Sequence, residues 1–257
     1  MSFANKVILI TGASSGIGAH AALHLAQKGA SVSLVGRNEK RLKAVAEEII
    51  KAGCPTPLEI VADVTKDAER IINETIKHFG KLDVLVNNAG VLGADSVVNF
   101  DVNEFDRIMS TNLRGIIVLS NLAIPHLEKT RGNIVNNSSI SGMRALDSFM
   151  SYSISKAALD QFTKCAALTL APKNIRVNSL NAGIVKTPFF EAIGINKSNE
   201  TQFYEEIKKD YLVGRVGELS DTSSAIAYLA SESFVNGTCL LVDGGRITSG
   251  LESRSSN

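Results

Sequence analysis

Val7-Ile8-Leu9-Ile10-Thr11-Gly12-Ala13-Ser14-Ser15-Gly16-Ile17-Gly18 opens the chain with four consecutive aliphatic residues that run straight into a glycine turn. A strand with no polar face is buried on both sides, as in a parallel sheet covered by helices. Residues 17–28 then read as a helix, with Ala22, Leu25 and Ala26 on one side and Gly29 as the stop. Gly12, Gly16 and Gly18 thus join a strand to a helix. Such glycines let the backbone turn tightly and approach a pyrophosphate, whose charge sits at the helix N-terminus. Their spacing, three residues and then one, differs from G-x-G-x-x-G, so the strand-before, helix-after context carries the reading.

The same rhythm continues outward. Strand-length segments recur at residues 32–35, 58–62, 82–86, 133–137, 176–180 and 240–242, separated by helical stretches at 40–52, 66–79, 102–127 and 152–170. Right-handed crossovers make this an α/β protein: a Rossmann-like doubly wound parallel sheet of about seven strands with helices on both faces. Ligands collect at the carboxyl ends of such strands. The glycine turn, the Asn87 loop, Ser139 and the loop 182–187 all follow strands, so four distant stretches converge on one edge.

Composition bounds the rest. The 257 residues are 44% hydrophobic with 20 Gly and 5 Pro, enough for one large domain over 1–257 with no composition shift to mark a second. Lys plus Arg (27) nearly cancel Asp plus Glu (26), which argues against nucleic acid or an anionic membrane as partner. No apolar run approaches the roughly 18 residues of a membrane span, and residues 7–10 are too short for a signal segment. The three cysteines, Cys54, Cys165 and Cys239, lack metal-ligand spacing and read as reduced thiols, so a cytoplasmic protein without a metal site is expected.

Residues 188–217 break the rhythm. They are charged yet carry Phe189, Phe190, Ile193, Phe203, Ile207 and Tyr211, with 203, 207 and 211 on one helical face. The pattern fits either a lid over the site or a surface helix capping the core. The polar tail from Ser249 onward is expected to fray.

After the second strand an Asp or Glu would bind the adenosine ribose hydroxyls and repel a 2′-phosphate. Gly36-Arg37-Asn38 stands there instead. The Arg37 fork suits a phosphate, and the Ser14 and Ser15 hydroxyls add donors, which favours NADP(H) over NAD(H). The competing reading of Arg37 is a solvated turn residue.

Tyr152 and Lys156 lie four apart on one helix face, and Ser139 lies thirteen before the tyrosine. A phenol titrates near 10, and a neighbouring cation favours its anion. Singly each residue is more often structural. Jointly, with Thr11-Gly12-Ala13-Ser14-Ser15-Gly16-Ile17-Gly18 and Asn87-Asn88-Ala89-Gly90, they make the chain resemble the single-domain short-chain dehydrogenase/reductase family from Thr11 to Gly245.

The resemblance implies roles. Tyr152 is the general acid of carbonyl reduction, replenished through Lys156, and Ser139 polarises the substrate oxygen. Lys156 holds the nicotinamide ribose and lowers the phenol, and Asn112 anchors a water leading to it. Asp63 and Val64 contact adenine, Asn88, Ala89 and Gly90 pack beside the cofactor, and Val185 and Thr187 fix the carboxamide. It also implies a homotetramer or homodimer built on helices 102–127 and 152–170. Where the family commonly has Pro-Gly, this chain has Asn181-Ala182-Gly183, and loss of the ring predicts a looser loop.

Phe189, Phe190 and Phe203, with Met143 and Phe149, predict a mostly apolar pocket, hence a hydrophobic ketone or secondary alcohol. The alternatives are a 3-oxoacyl-carrier-protein reductase, its acidic carrier meeting Lys129, Arg131 and Lys173, and an NAD-dependent secondary alcohol dehydrogenase. A non-catalytic dinucleotide sensor could dispense with the trio, which is intact. An epimerase of the longer branch would need a second substrate domain after the sixth strand.

Overall fold

A computed structural model describes residues 2–250, so the tail beyond Gly250 lies outside the described residues. Seven parallel strands form one sheet in the order β3-β2-β1-β4-β5-β6-β7. They are β1 (Val7–Thr11), β2 (Ser31–Gly36), β3 (Leu58–Val61), β4 (Val84–Asn87), β5 (Asn133–Ser139), β6 (Arg176–Ala182) and β7 (Cys239–Val242). All five residues of β1 are buried, as its unbroken apolar run requires.

The helices are α1 (Gly16–Gln27), α2 (Glu39–Lys51), α3 (Ala68–Phe79), α4 (Val102–Met109), α5 (Gly115–Thr130), α6 (Met150–Leu170), α7 (Glu200–Ile207) and α8 (Leu219–Ser231). One core layer packs α1, α2 and α8 against the sheet through Ala22, Leu25, Leu42, Ile49, Ile226 and Leu229. The other packs α3, α5 and α6 through Ile71, Ile72, Leu119, Leu127, Ala167 and Leu170. Among the described residues no helix is long and apolar enough to cross a membrane.

Strand order reverses between β1 and β4, and a crevice opens beyond their carboxyl ends at such a switch point. The expected helix 102–127 is divided: α4 and α5 are joined by a π turn, Ser110–Arg114. π turns are rare and frequent at functional sites, and this one carries Asn112.

The structure bears on two expectations. Ala182, where the family commonly has proline, continues the sixth strand. It is buried and pairs in register with Ser139 on β5 and Val242 on β7, because a residue with an N–H can extend the ladder where proline ends it. The second concerns Lys129, Arg131 and Lys173, offered as a carrier-docking patch. They sit just before β5 and β6 begin, at the sheet edge opposite the crevice, and Lys173 pairs with Glu128 at 2.8 Å. A seven-residue strand, about 23 Å long, separates that edge from Ser139.

Candidate active site

The crevice is a cavity of about 920 Å³. It runs from Gly12, Ser14, Ser15, Gly16 and Ile17 past Arg37, Asp63 and Val64, then Asn88, Ala89 and Gly90, to Ser139, Tyr152, Lys156, Val185 and Thr187. Of the expected site residues, only Gly18 and Asn112 stay out of its wall.

Both absences have a structural reason. Gly18 is buried behind the turn, where an added Cβ would lie 2.4 Å from the Gly12 carbonyl oxygen and 2.4 Å from Asn88 Nδ2. Gly12 itself has φ +64°, and its Cβ would meet Ala89 Cα at 2.9 Å. The turn is therefore shaped for glycine and stands at the N-terminus of α1, the geometry that accepts a pyrophosphate. Asn112 works from behind as well. Its Oδ1 accepts from Val91 N at 2.8 Å and its Nδ2 donates to Val91 O at 2.9 Å, clamping the chain that follows Gly90. Asn112 Oδ1 and Lys156 Nζ both face Gly90, within 3.5 and 3.8 Å of where a Cβ would be.

At the chemical end, Ser139 closes β5 and is hydrogen-bonded to Tyr152. Lys156, buried one turn further along α6, has its Nζ 5.6 Å from the centre of the Tyr152 ring and donates to Asn137 O at 2.8 Å. Withdrawal from water pushes the phenol up to about 12, against the opposing hydrogen bond from Ser139. Burial likewise pushes the lysine down to about 8, with the Asp160 carboxylate resisting. The expected lowering of Tyr152 by Lys156 is thus not realised in the protein alone. Desolvation penalises both charged forms, and the ammonium is turned to a main-chain carbonyl.

At the adenine end, Arg37 is well exposed and stands 3.9 Å from Asp63. Burial pushes the Asp63 carboxyl up, but the Thr65 hydroxyl and amide, together with Arg37, outweigh it and leave it below its ordinary range. Asn38 is spent on capping α2, accepting from Arg41 N at 2.9 Å.

Three contributors escaped the sequence reading. Arg41 lines the cavity beside Arg37, and its i+4 spacing was an available signal. Asp95 caps α6 across 56 residues, accepting from Ser151 N at 3.0 Å and from the Ser151 hydroxyl. Asp160, in line with Tyr152 and Lys156, accepts from Asn181 Nδ2 at 2.6 Å, and Asn181 also donates to Ser139 O at 3.2 Å. Nothing in the sequence announces the last two.

The family model described as enoyl-(acyl carrier protein) reductase matches residues 12–246. A short-chain dehydrogenase/reductase of unknown function from Caenorhabditis elegans, solved with cofactor, superposes with a TM-score of 0.91 at 36% identity, covering 96% of each chain. The chain is a short-chain dehydrogenase/reductase. It is also 34% identical to L-fucose dehydrogenase of Bos taurus, over 95% of this chain and 90% of that one. A 3-oxoacyl-[acyl-carrier-protein] reductase of Thermotoga maritima is 33% identical over 96% of this chain and 100% of its own. Membership makes this short-chain dehydrogenase/reductase an oxidoreductase that uses a nicotinamide dinucleotide, and the glycine turn fits that group.

From residues 188–217 of this short-chain dehydrogenase/reductase, Pro188, Phe189, Phe190, Ile193, Phe203 and Ile207 line the cavity. Ring centres step from Tyr152 to Phe189 (6.0 Å), to Phe190 (5.8 Å), to Phe203 (5.6 Å) and to Tyr204 (5.3 Å). Tyr211 falls beyond α7 rather than on it, yet still joins Phe203 and Ile207 in one buried cluster.

Proposed function

We propose that the protein is an NADP(H)-dependent reductase of apolar ketones, with Tyr152 as general acid. The observation that carries this reading is the meeting of the Ser139–Tyr152 pair with the aromatic file from Phe189 to Phe203. A polyol placed there would leave hydroxyls against phenyl rings, a loss that a carbonyl flanked by apolar groups avoids. The relatives named for a sugar and for an acyl carrier keep those substrates as rivals.

The glycine turn with Ser14 and Ser15 would hold the pyrophosphate, Asp63 and Val64 the adenine, Lys156 the nicotinamide ribose, and Val185 and Thr187 the carboxamide. When bound, the nicotinamide supplies the hydride. Ser139 polarises the substrate oxygen, and Tyr152 hands it a proton. A phenol held up to about 12 carries its proton throughout the neutral range. Proton donation in one direction and ionisation in the other pass through the same phenolate, so its formation depends on stabilisation by Ser139, Lys156 and the bound cofactor in both. Arg37 and Arg41, with no carboxylate at the end of β2, support the 2′-phosphate choice.

The same proposal places residues 188–217 as the substrate lid of a single domain. It also makes the protein a cytoplasmic homotetramer or homodimer, supported by exposed Ile117 and Val118 on α5 and Ile154 and Leu168 on α6. Light scattering tests the assembly.

The activity test is a panel of apolar ketones, sugars and an acyl thioester, run with NADPH and NADH in parallel. We expect turnover of ketones with NADPH. Turnover confined to sugars or thioesters would overturn the substrate class. Arg37→Ala is expected to cut the NADPH-to-NADH preference at least about tenfold, the weight of a charge-assisted hydrogen bond. An unchanged ratio would remove the 2′-phosphate argument.

A further inference from the structure

We propose that Asp160 is a positioning residue of the active site: its buried carboxylate serves as the counter-charge of Lys156, and Asn181 and Ser179 hold it in place. The inference rests on the reading of Lys156 as the residue that holds the nicotinamide ribose.

Helix periodicity sets the pair. Lys156 and Asp160 are four apart on α6, share a face and are both buried. Lys164, four residues further on, flanks the same carboxylate but is exposed. Water screens the outer lysine and not the inner one, so the charge that answers a buried Asp160 is Lys156. A protein interior keeps charges in such pairs, because an isolated one is costly to desolvate.

Hydrogen bonds then orient the carboxylate. Asn181 Nδ2 donates to Asp160 Oδ2 at 2.6 Å, and the Ser179 hydroxyl lies 3.2 Å from Asp160 Oδ1. Both partners come from β6, and both are neutral and fully buried. A carboxylate only accepts, so Asn181 must turn its nitrogen towards Asp160 and its oxygen to the Ser179 hydroxyl, at 3.0 Å. The same nitrogen reaches Ser139 O at 3.2 Å, so the arrangement ties α6 to the end of β5. Space is tight, since a Cβ on Gly142 would come within 2.9 Å of Asp160 Oδ2. The carboxylate is thus pinned between β6 and the turn that follows Ser139.

The other groups around the pair do not replace it. Lys156 meets the Tyr152 ring, Asn137 O and, across Gly90, Asn112, none of them an anion. On the π turn and α4, Arg114 and Asp106 are exposed, and Glu104 and Arg107 pair with each other. Cys239 on β7 lies in register with Ser179, and burial pushes its thiol up, which keeps it protonated at neutral pH. Burial pushes Lys156 down, and the Asp160 carboxylate opposes that shift, the direction in which a counter-charge acts.

Stability and pH read the pairing independently. Asp160→Asn keeps the shape and removes the charge, and Lys156→Met removes the ammonium. Tm is measured at pH 7 for both single variants and the double variant. We expect Asp160→Asn to lower Tm by about 5 °C in the wild type and by less than about 1 °C in the Lys156→Met background, where the charge it removes is already unanswered. Equal losses in the two backgrounds would overturn the proposal. An Asp160→Asn protein that does not fold should be rescued by Lys156→Met, and no rescue would overturn the pairing too.

The second measurement follows kcat/KM for NADPH against pH. The carboxylate raises the lysine, so without it the ammonium loses its proton at lower pH. The alkaline limb of Asp160→Asn should begin about one unit below that of the wild type. Ser179→Ala takes one neutral bond from the same carboxylate and should leave the limb in place. A limb unmoved by Asp160→Asn, or moved as far by Ser179→Ala, would mean that Asp160 merely braces α6 on β6, against the proposal. A wild type with no alkaline limb would instead sink the cofactor role of Lys156, and the Tm comparison would then decide the counter-charge alone.

Discussion

The corner where β5 meets α6 and the segment 188–217 face each other across one cavity and are built in opposite ways. The corner is held by directional bonds. Asp95 caps the helix, Lys156 reaches Asn137 O, and Asn181 ties Asp160 to Ser139 O, with Ser151, Ser155, Lys156 and Asp160 all buried. The aromatic part of the segment is joined by ring contacts, and within 188–217 only Tyr204, Tyr211 and Val216 are buried. Its directional ties to the body gather on two tyrosine hydroxyls and on residues 210–217: Ile184 N to Tyr211 Oη at 2.7 Å, Thr187 N to Tyr204 Oη at 3.4 Å, Val213 N to Gly244 O at 3.2 Å, Gly217 N to Ile184 O at 2.9 Å, Arg215 to Asp221 at 2.7 Å and Arg246 to Asp210 at 3.2 Å. Reacting groups need fixed distances, because small misplacements are costly in rate. A surface that selects apolar shapes needs area more than angles. With residues 188–217 as the proposed substrate lid, substrate preference would shift there without moving Tyr152.

The contrast breaks most decisively at the phenol. Tyr152→Phe should lower kcat about 10³-fold while NADPH affinity changes less than about threefold, the mark of a proton donor rather than a binding group. Near-normal turnover would take the chemistry away from the corner altogether.

Lys156 comes next. Burial pushes its ammonium down to about 8, so its charge is present below that pH and is lost as pH rises through it. Wild-type kcat/KM for NADPH should be level below pH 8 and fall up to tenfold per unit above. Lys156→Ala should lose about 10²-fold, and the alkaline limb should disappear with it. A limb that persisted would belong to another group.

Asp95→Ala sharpens the structural half. Loss of a buried helix cap should cost about 2 kcal/mol, seen as a Tm lower by roughly 5 °C, and should reduce kcat several-fold through a displaced Tyr152. A wild-type Tm and kcat would show that the corner needs no cap.

The smallest effect is expected in the segment. Phe203→Ala should raise KM for an apolar ketone a few-fold and leave kcat and Tm nearly unchanged. A fall in kcat as large as that of Asp95→Ala would mean that the two regions are built alike after all.

The local patterns were readable in advance. Val7 to Gly18 announced a buried strand, a turn that only glycine can make and a helix end, and shorter apolar stretches between helical ones marked the later strands. Tyr152 and Lys156 were legible because helical periodicity is a local rule. Asp95, Asp160, Asn181 and Asn137 were not. A lone Asp or Asn has the same local appearance on a surface loop as it has in a buried network. Its partner lies 56 residues away for Asp95 and 49 for Asn137. The carrier patch failed for a related reason, since basic residues have no visible side of the sheet until strand direction is known.

What the sequence determined by itself was therefore the order of elements, the glycine turn and the identity of the reacting groups, all set by propensity and spacing along the chain. The tertiary structure decided what surrounds those groups. Burial pushes the phenol up and the lysine down, and Asp160, Asn181 and Asn137 find distant partners, because desolvation and hydrogen-bond satisfaction depend on neighbours that only folding brings together.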